Sequence, residues 1–265
     1  MRAQFVNTLN AKAFMAGLKA VEQRGAAEAC LMVVDGEPGR GKSTVTQWWA
    51  TQTQSVFLRA KKEWTPAWFM RELLERLNVA PEHSFEKMYR QALQALSAKA
   101  DAARLGNRAF AVLVDEADHI TRSPRILETI RDLSDALEIP FILVGMGRIR
   151  HNLAKFPQVA SRVAAYVEFR DGQLADTETM VGALCGVKVK PDLVRFLHEA
   201  SRGRFREIKE AIGAIERHAK RLGGDPAALE VGLTDMGGVV LLNDRNTGAP
   251  VEVPRIAPPA RAEAA

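Results

Sequence analysis

Eight consecutive residues restrict this chain more than any other stretch. Gly36-Glu37-Pro38-Gly39-Arg40-Gly41-Lys42-Ser43 satisfies the pattern G-x-x-x-x-G-K-[ST] in full. Such a loop functions between a buried strand and a helix. Its glycines let successive backbone N–H groups curl around phosphates, and the helix N-terminus adds its positive end. Both flanks comply, because Cys30 to Val34 is an apolar run ending at Asp35 and a helical segment opens after the loop. The residues expected around ATP are Gly36, Glu37, Pro38, Gly39, Arg40, Gly41, Lys42, Ser43 and Thr44. Lys42 is placed to reach the β- and γ-phosphates, and the Ser43 hydroxyl to ligate Mg²⁺.

Ala111-Val112-Leu113-Val114-Asp115-Glu116 supplies the complementary half. A strand ending in an acid puts Asp115 where it can hold Mg²⁺, directly or through water. Glu116 can then polarise a water for in-line attack on the γ-phosphate. The run continues as Asp115-Glu116-Ala117-Asp118-His119, which invites a helicase reading. Helicases of that kind need two such α/β domains in tandem, and one phosphate-binding loop in 265 residues argues against it.

Further apolar runs of strand length are Ser55 to Leu58, Phe110 to Val114, Phe141 to Val144 and Tyr166 to Phe169. Helical periodicity lies between them, as in Met70, Leu73, Leu74 and Leu77 or Tyr89, Ala92, Leu93 and Leu96. Thr65 is placed to cap the first of these helices, with Pro66 at its first position. Strands alternating with helices imply a parallel sheet covered on both faces. After Phe169 the strand signal stops, and Thr177 to Cys185, Pro191 to Arg202 and Arg206 to Leu222 read as three helices. Val239 to Leu242 and Val251 to Val253, around the turn-rich Asn243 to Gly248, read as a hairpin or arm. Four prolines in the last sixteen residues predict disorder from Ala257 to Ala265.

The resulting division is an N-terminal helix (1–28), an α/β nucleotide-binding domain (29–172), a helical lid (173–232) and a C-terminal arm and tail (233–265). A hydrophobic content of 47% with 26% charged residues supports a sizeable core and excludes a wholly disordered chain. Cys30 and Cys185 are too few for a cysteine zinc site or a disulfide scaffold, and the five histidines have no metal-ligand spacing. No apolar stretch is long enough to cross a bilayer and no signal peptide opens the chain, so a soluble intracellular protein with no membrane partner is expected. The formal charge is +5, and its location matters more than its size. Between Lys188 and Arg221 ten basic residues face five acids, a surplus equal to that of the whole chain. A basic C-terminal third suits phosphate of a nucleotide or nucleic acid.

The order of phosphate loop, Asp-Glu strand, Phe141 to Val144 strand, an arginine before a further strand, then a helical lid resembles the AAA+ ATPases. The resemblance implies an AAA+ P-loop NTPase fold, a parallel sheet flanked by helices with a small C-terminal helical lid. It also implies two catalytic arginines. Arg162, in Gln158-Val159-Ala160-Ser161-Arg162-Val163, matches the arginine finger that completes a neighbouring subunit's site. Arg206, in Gly203-Arg204-Phe205-Arg206, matches the sensor arginine of the lid. One departure matters. Many members carry a polar residue after the fourth strand that contacts the γ-phosphate and the attacking water, whereas this chain reads Leu143-Val144-Gly145-Met146-Gly147, with no side-chain donor before Arg148. Slow or partner-dependent hydrolysis is therefore expected.

Apart from its tail, the chain further resembles the compact AAA+ regulators of DNA transposition, the group of phage Mu transposition protein B, TniB and TnsC. The supporting stretches are the short helix before the phosphate loop, Lys61-Lys62-Glu63-Trp64-Thr65-Pro66, Val114-Asp115-Glu116-Ala117-Asp118 and Leu143-Val144-Gly145-Met146-Gly147-Arg148. This implies ATP-driven, sequence-nonspecific assembly of a head-to-tail ring or helical filament on double-stranded DNA. The assembly recruits and activates a transposase, and hydrolysis dismantles it. The setting implied is the cytoplasm of a bacterial cell or phage-infected host. Candidates to touch DNA phosphates are Lys61, Lys62, Arg122, Arg125, Arg148 and Arg150. One or two such contacts per subunit would neutralise roughly 6–12 phosphates in a six-subunit turn, so affinity should fall steeply with salt. Among Trp48, Trp49, Trp64 and Trp68, only Trp64, read as a loop residue, is placed for stacking on bases; the others read as core. The alternative functions are an AAA+ helicase loader or other replication-associated remodelling ATPase, and a signalling or secretion-linked ATPase. The last usually needs modules for which this length has no room.

Overall fold

The computed structural model describes residues 1–223 and 229–255. The expected disordered tail, Ala257 to Ala265, lies outside them. Close contacts divide the chain into two units, one of residues 10–170 and one of residues 1–9 with those from Asp171 onward.

The first unit is built on five parallel strands, β1 (Leu31–Asp35), β2 (Val56–Arg59), β3 (Val112–Asp115), β4 (Phe141–Val144) and β5 (Val163–Glu168), in the order β2-β3-β4-β1-β5. The inner strands are unbroken apolar runs because both their faces are covered. Leu31, Val33, Val112, Val114, Phe141 and Leu143 share one face, as the two-residue period requires. Packed with them are side chains of α3 (Pro66–Arg76), α4 (Phe85–Leu105), α5 (Pro124–Leu137), α6 (Ile149–Leu153) and α7 (Pro157–Ala160). α2 (Lys42–Thr53) lies against β2 and β3, and it meets α1 (Leu9–Glu22) through Phe14 and Trp49, whose rings are 5.9 Å apart.

Helix starts follow local chemistry. Thr65 Oγ1 accepts the Trp68 N–H at 3.2 Å with Pro66 in the first position, a cap of about 1 kcal/mol. Met70, Leu73, Leu74 and Leu77 are all buried, as their spacing predicts. Strand limits move where the apolar signal is weak. β5 begins at Val163 rather than Tyr166, because Val163-Ala164-Ala165 is a half-exposed edge run that pairs with β1 without a strongly apolar pattern. β3 runs to Asp115 and leaves Phe110 outside, in register with β2 from Val56↔Val112 to Arg59↔Asp115.

In the second unit, α8 (Leu174–Leu184), α9 (Pro191–Ser201) and α10 (Phe205–Leu222) enclose a core that includes Leu193, Leu197, Ile208, Ile212 and Ile215. α8 starts three residues before the expected Thr177, because Gln173 and Asp176 form a reciprocal capping box. Two short strands appear where only helices were expected between Phe169 and the hairpin. β6 (Lys188–Val189) pairs in parallel with β7 (Glu230–Val231), each too short to show a period. β8 (Val240–Asn243) and β9 (Pro250–Glu252) form an antiparallel hairpin whose Leu241, Leu242 and neighbouring Val253 join the core. Its tip is tied down by Arg202 to Asp244 at 3.5 Å and Arg245 to Glu207 at 3.4 Å.

Candidate nucleotide site

The phosphate loop leaves the C-terminal end of β1, and α2 begins directly at Lys42. Gly39 and Gly41 stand at φ 89° and 83°, a left-handed backbone that side chains disfavour. The first-turn amides of α2 have no acceptor within the helix, so they are free for an anion. Lys42 is buried, and its ammonium donates to Gly36 O and, at 3.0 Å, to Glu37 O. Burial pulls Lys42 below its ordinary pKa, while the charges of Asp35, Asp115 and Asp118 act against that. Ser43 is half-buried, Glu37, Pro38 and Thr44 are exposed, and Arg40 donates to Phe169 O at 3.1 Å.

Asp115 closes β3 beside this loop. It is 3% exposed, and its Oδ2 accepts no hydrogen bond, while Oδ1 takes the Glu116 N–H at 3.0 Å. A buried carboxylate oxygen with no hydrogen bond, reached only by the Arg59 guanidinium at 3.8 Å, fits a cation or its water shell. Glu116 is exposed and has left-handed backbone angles, φ 55° and ψ 34°, uncommon for a residue with a side chain. Its carboxylate lies 3.7 Å from Arg59 and 3.5 Å from His119, and Arg59 also reaches Asp115 at 3.8 Å. Burial pushes the carboxyls of Asp35 and Asp118 above the usual range. Acids at the ends of β1 and β3 thus gather around the Lys42 ammonium.

Arg59 is a group that the motifs did not reveal, and Asp118 is one they contained but gave no role at the site. Arg59 ends a strand expected to stop at Leu58, and only the β2–β3 register puts it opposite Asp115. Asp118 has its Oδ2 on the Met146 N–H after β4, a tertiary contact with no sequence spacing to betray it.

The arginine matched to a finger directly precedes β5, at the N-terminal ends of parallel strands, whereas the phosphate loop leaves the C-terminal end of β1. Arg162 therefore sits at the opposite end of the sheet from its own loop. Asp135 takes its Nε–H with both oxygens, at 2.9 and 3.1 Å. Arg206 is exposed in the first turn of α10, in the second unit, and makes no side-chain hydrogen bond or ion pair among the described residues.

All six candidate DNA contacts follow the C-terminal ends of three adjacent strands, Lys61 and Lys62 after β2, Arg122 and Arg125 after β3, Arg148 and Arg150 after β4. They differ in freedom. Lys61 is bonded to Glu72 and lies 5.1 Å from the centre of the Trp68 ring, and Arg150 stacks on Tyr166 at 4.9 Å. Lys62, Arg122, Arg125 and Arg148 are exposed, and their side chains make no ion pair among the described residues. The tryptophan expectation is corrected. Trp64 is buried in the core with its Nε1–H on Glu72 at 3.3 Å, whereas Trp68, expected inside, is 39% exposed. The cause is that α3 turns Phe69 and Met70 inward, which leaves Trp68 on the outer side of the first turn.

Residues 26–153 match the family model of an AAA domain. No curated protein matches the chain. Among solved structures, the chain is similar to the ORC2 protein of Aeropyrum pernix in its ADPNP–ADP complexes, with a TM-score of 0.57 and 16% identity over 86% of this chain and 67% of that one. It is also similar to the ORC1 protein of Aeropyrum pernix in complex with DNA, with a TM-score of 0.54 and 17% identity over 83% and 62% of the two chains. A third is the Walker-type ATPase PABY2304 of Pyrococcus abyssi, with a TM-score of 0.58 and 13% identity over 82% and 69%. The chain thus spans about two thirds of these structures' own lengths. Domain match and sheet order agree on the AAA+ P-loop NTPase fold.

Proposed function

We propose that the chain is an ATPase whose bound ATP joins copies of it head to tail on double-stranded DNA, without base preference, and whose hydrolysis releases them. The observation that carries this reading is the position of Arg162. At the far end of the sheet it cannot reach its own phosphate loop, so once it leaves Asp135 the finger role falls to it only toward a neighbour, and a contact of that kind repeats into a ring or open helix. The exposed cations after β2, β3 and β4 then face DNA phosphates as a repeated surface.

Mg²⁺ at this site would be held by Ser43 and Asp115, whose Oδ2 accepts no hydrogen bond and would exchange its loose contact with Arg59 for the ion, and would neutralise charge on the phosphates. Lys42 binds the β- and γ-phosphates. Glu116 accepts the proton of the attacking water once its carboxylate leaves Arg59 and His119. Arg162 of a neighbouring copy and Arg206 counter charge developing on the γ-phosphate. An exposed ion pair is worth up to about 1 kcal/mol. Arg59→Ala is therefore expected to raise turnover by no more than about fivefold, measured as phosphate release at saturating ATP. A fall instead would make Arg59 part of the nucleotide site.

On the finer level, we infer from the stretches shared with transposition regulators that the assembly recruits and activates a transposase. The replication-associated alternative is favoured by one observation, the likeness to an ORC1 protein in complex with DNA. Electron microscopy with duplex DNA, with and without a non-hydrolysable ATP analogue, tests the reading. Rings or filaments only with both support it, preference for single strands or for a helicase favours the alternative, and a monomer that ignores duplexes at saturating Mg·ATP overturns it.

A further inference from the structure

The segment after β4 has to serve the site without side-chain chemistry. β4 lies between β3 and β1, so Gly145-Met146-Gly147 emerges between the acids of β3 and the phosphate loop. The Gly145 N–H donates to Val34 O at 2.9 Å, which pins the segment to the end of β1. Gly145 is buried, and a Cβ placed on it would stand 2.5 Å from Asp118 Oδ2 and 3.1 Å from its Cγ. The Asp118 carboxyl therefore fills the volume that a side chain at 145 would occupy. Its Oδ2 accepts the Met146 N–H, and its charge acts on Lys42. The frame behind it is also tied, since Thr121 Oγ1–H donates to Asp118 O at 3.0 Å and Asn152 of α6 donates to Thr121 Oγ1 at 3.0 Å.

We propose that Asp118 is a positioning residue for ATP hydrolysis. Acting through the Met146 N–H, it holds the Gly145–Gly147 backbone at the γ-phosphate end of the site, and its carboxyl stands where Gly145 has no side chain. The proposal rests on the hydrolysis reading above. It links two positions: the acid at 118 requires glycine at 145, and removing the acid frees the Met146 N–H and leaves the segment held only through Gly145.

The test is steady-state phosphate release against ATP concentration for the parent chain and four variants, with thermal unfolding recorded for each. Asp118→Ala is expected to lower kcat about tenfold with KM within about threefold. Asp118→Asn keeps an acceptor oxygen for the Met146 N–H and should stay within about threefold of the parent. Gly145→Ser alone should lose turnover through collision with Asp118, and Asp118→Ala with Gly145→Ser should be more active than Gly145→Ser alone. Asn behaving like Ala at 118, a change confined to KM, or additive effects of the two single substitutions would each overturn the proposal. Should Asp118→Ala not fold, Asp118→Asn and the comparison of Gly145→Ser with the double variant decide alone. A parent chain that turns over while Asp118→Ala matches it removes Asp118 only. A parent with no turnover, with or without duplex DNA, removes hydrolysis and this proposal together.

Discussion

Lys42→Ala is expected to weaken ATP binding by at least about 100-fold and to abolish assembly on duplex DNA. The magnitude follows from what surrounds the ammonium. Lys42 is buried, donates to two carbonyls of its own loop and feels the charges of Asp35, Asp115 and Asp118. Its charge-assisted bonds to phosphate are each worth about 1.5–3 kcal/mol. Their loss leaves three carboxyl groups opposite a polyphosphate with no fixed lysine between them, and removing one partner of a buried charge set costs about 3–5 kcal/mol. Titration of a fluorescent ATP analogue measures the first effect, and sedimentation with duplex DNA the second. The fold is expected to survive, since Lys42 belongs to the first turn of a helix whose buried face is carried by Val45, Thr46, Trp49 and Ala50. Unaltered assembly by a folded Lys42→Ala chain would refute nucleotide as the link between copies.

What the sequence reveals of this site is whatever one segment holds by itself. The phosphate loop, its strand and its helix are contiguous, so the motif announces all three, and Asp115-Glu116 is legible because an apolar run ends in two acids. Groups that reach the site from other segments stay hidden. Arg59 becomes part of it only through the β2–β3 register, and although Asp118 stands in the Asp115 to His119 run, its contact with the Met146 N–H does not show there. The same distinction explains the tryptophans. Trp64 lies outside any regular element, yet its ring packs against Phe69 with centroids 5.5 Å apart, whereas Trp68 shares a helix with buried residues and still faces outward. A helix fixes direction through its period, and a loop position carries no such rule. β6 and β7, two residues each, fall below the length at which any period can be read.

Glu116→Gln separates binding from hydrolysis. The substitution keeps the length and shape of the side chain, so ATP affinity should stay within about threefold and assembly on DNA should persist. Turnover should fall by about 100-fold or more, the usual weight of a positioned general base. Assemblies formed by the variant should consequently outlive those of the parent chain after free ATP is removed, which light scattering can follow. The local structure supports the assignment. Glu116 is held in a left-handed backbone conformation next to Asp115, its side chain is exposed rather than packed, and its contacts with Arg59 and His119 are loose, at 3.7 and 3.5 Å. Exposed residues with a left-handed backbone also occur at Gln54, Asn78, Asn107, Glu138 and Arg202, so the assignment rests on the place of Glu116 directly after Asp115 and on its open carboxylate. Gln at 116 also weakens the hold of Arg59, so the variant should be insensitive to Arg59→Ala, whereas the parent gains from it. Rapid disassembly by Glu116→Gln, or a rate gain from Arg59→Ala in its presence, would transfer the base to another residue.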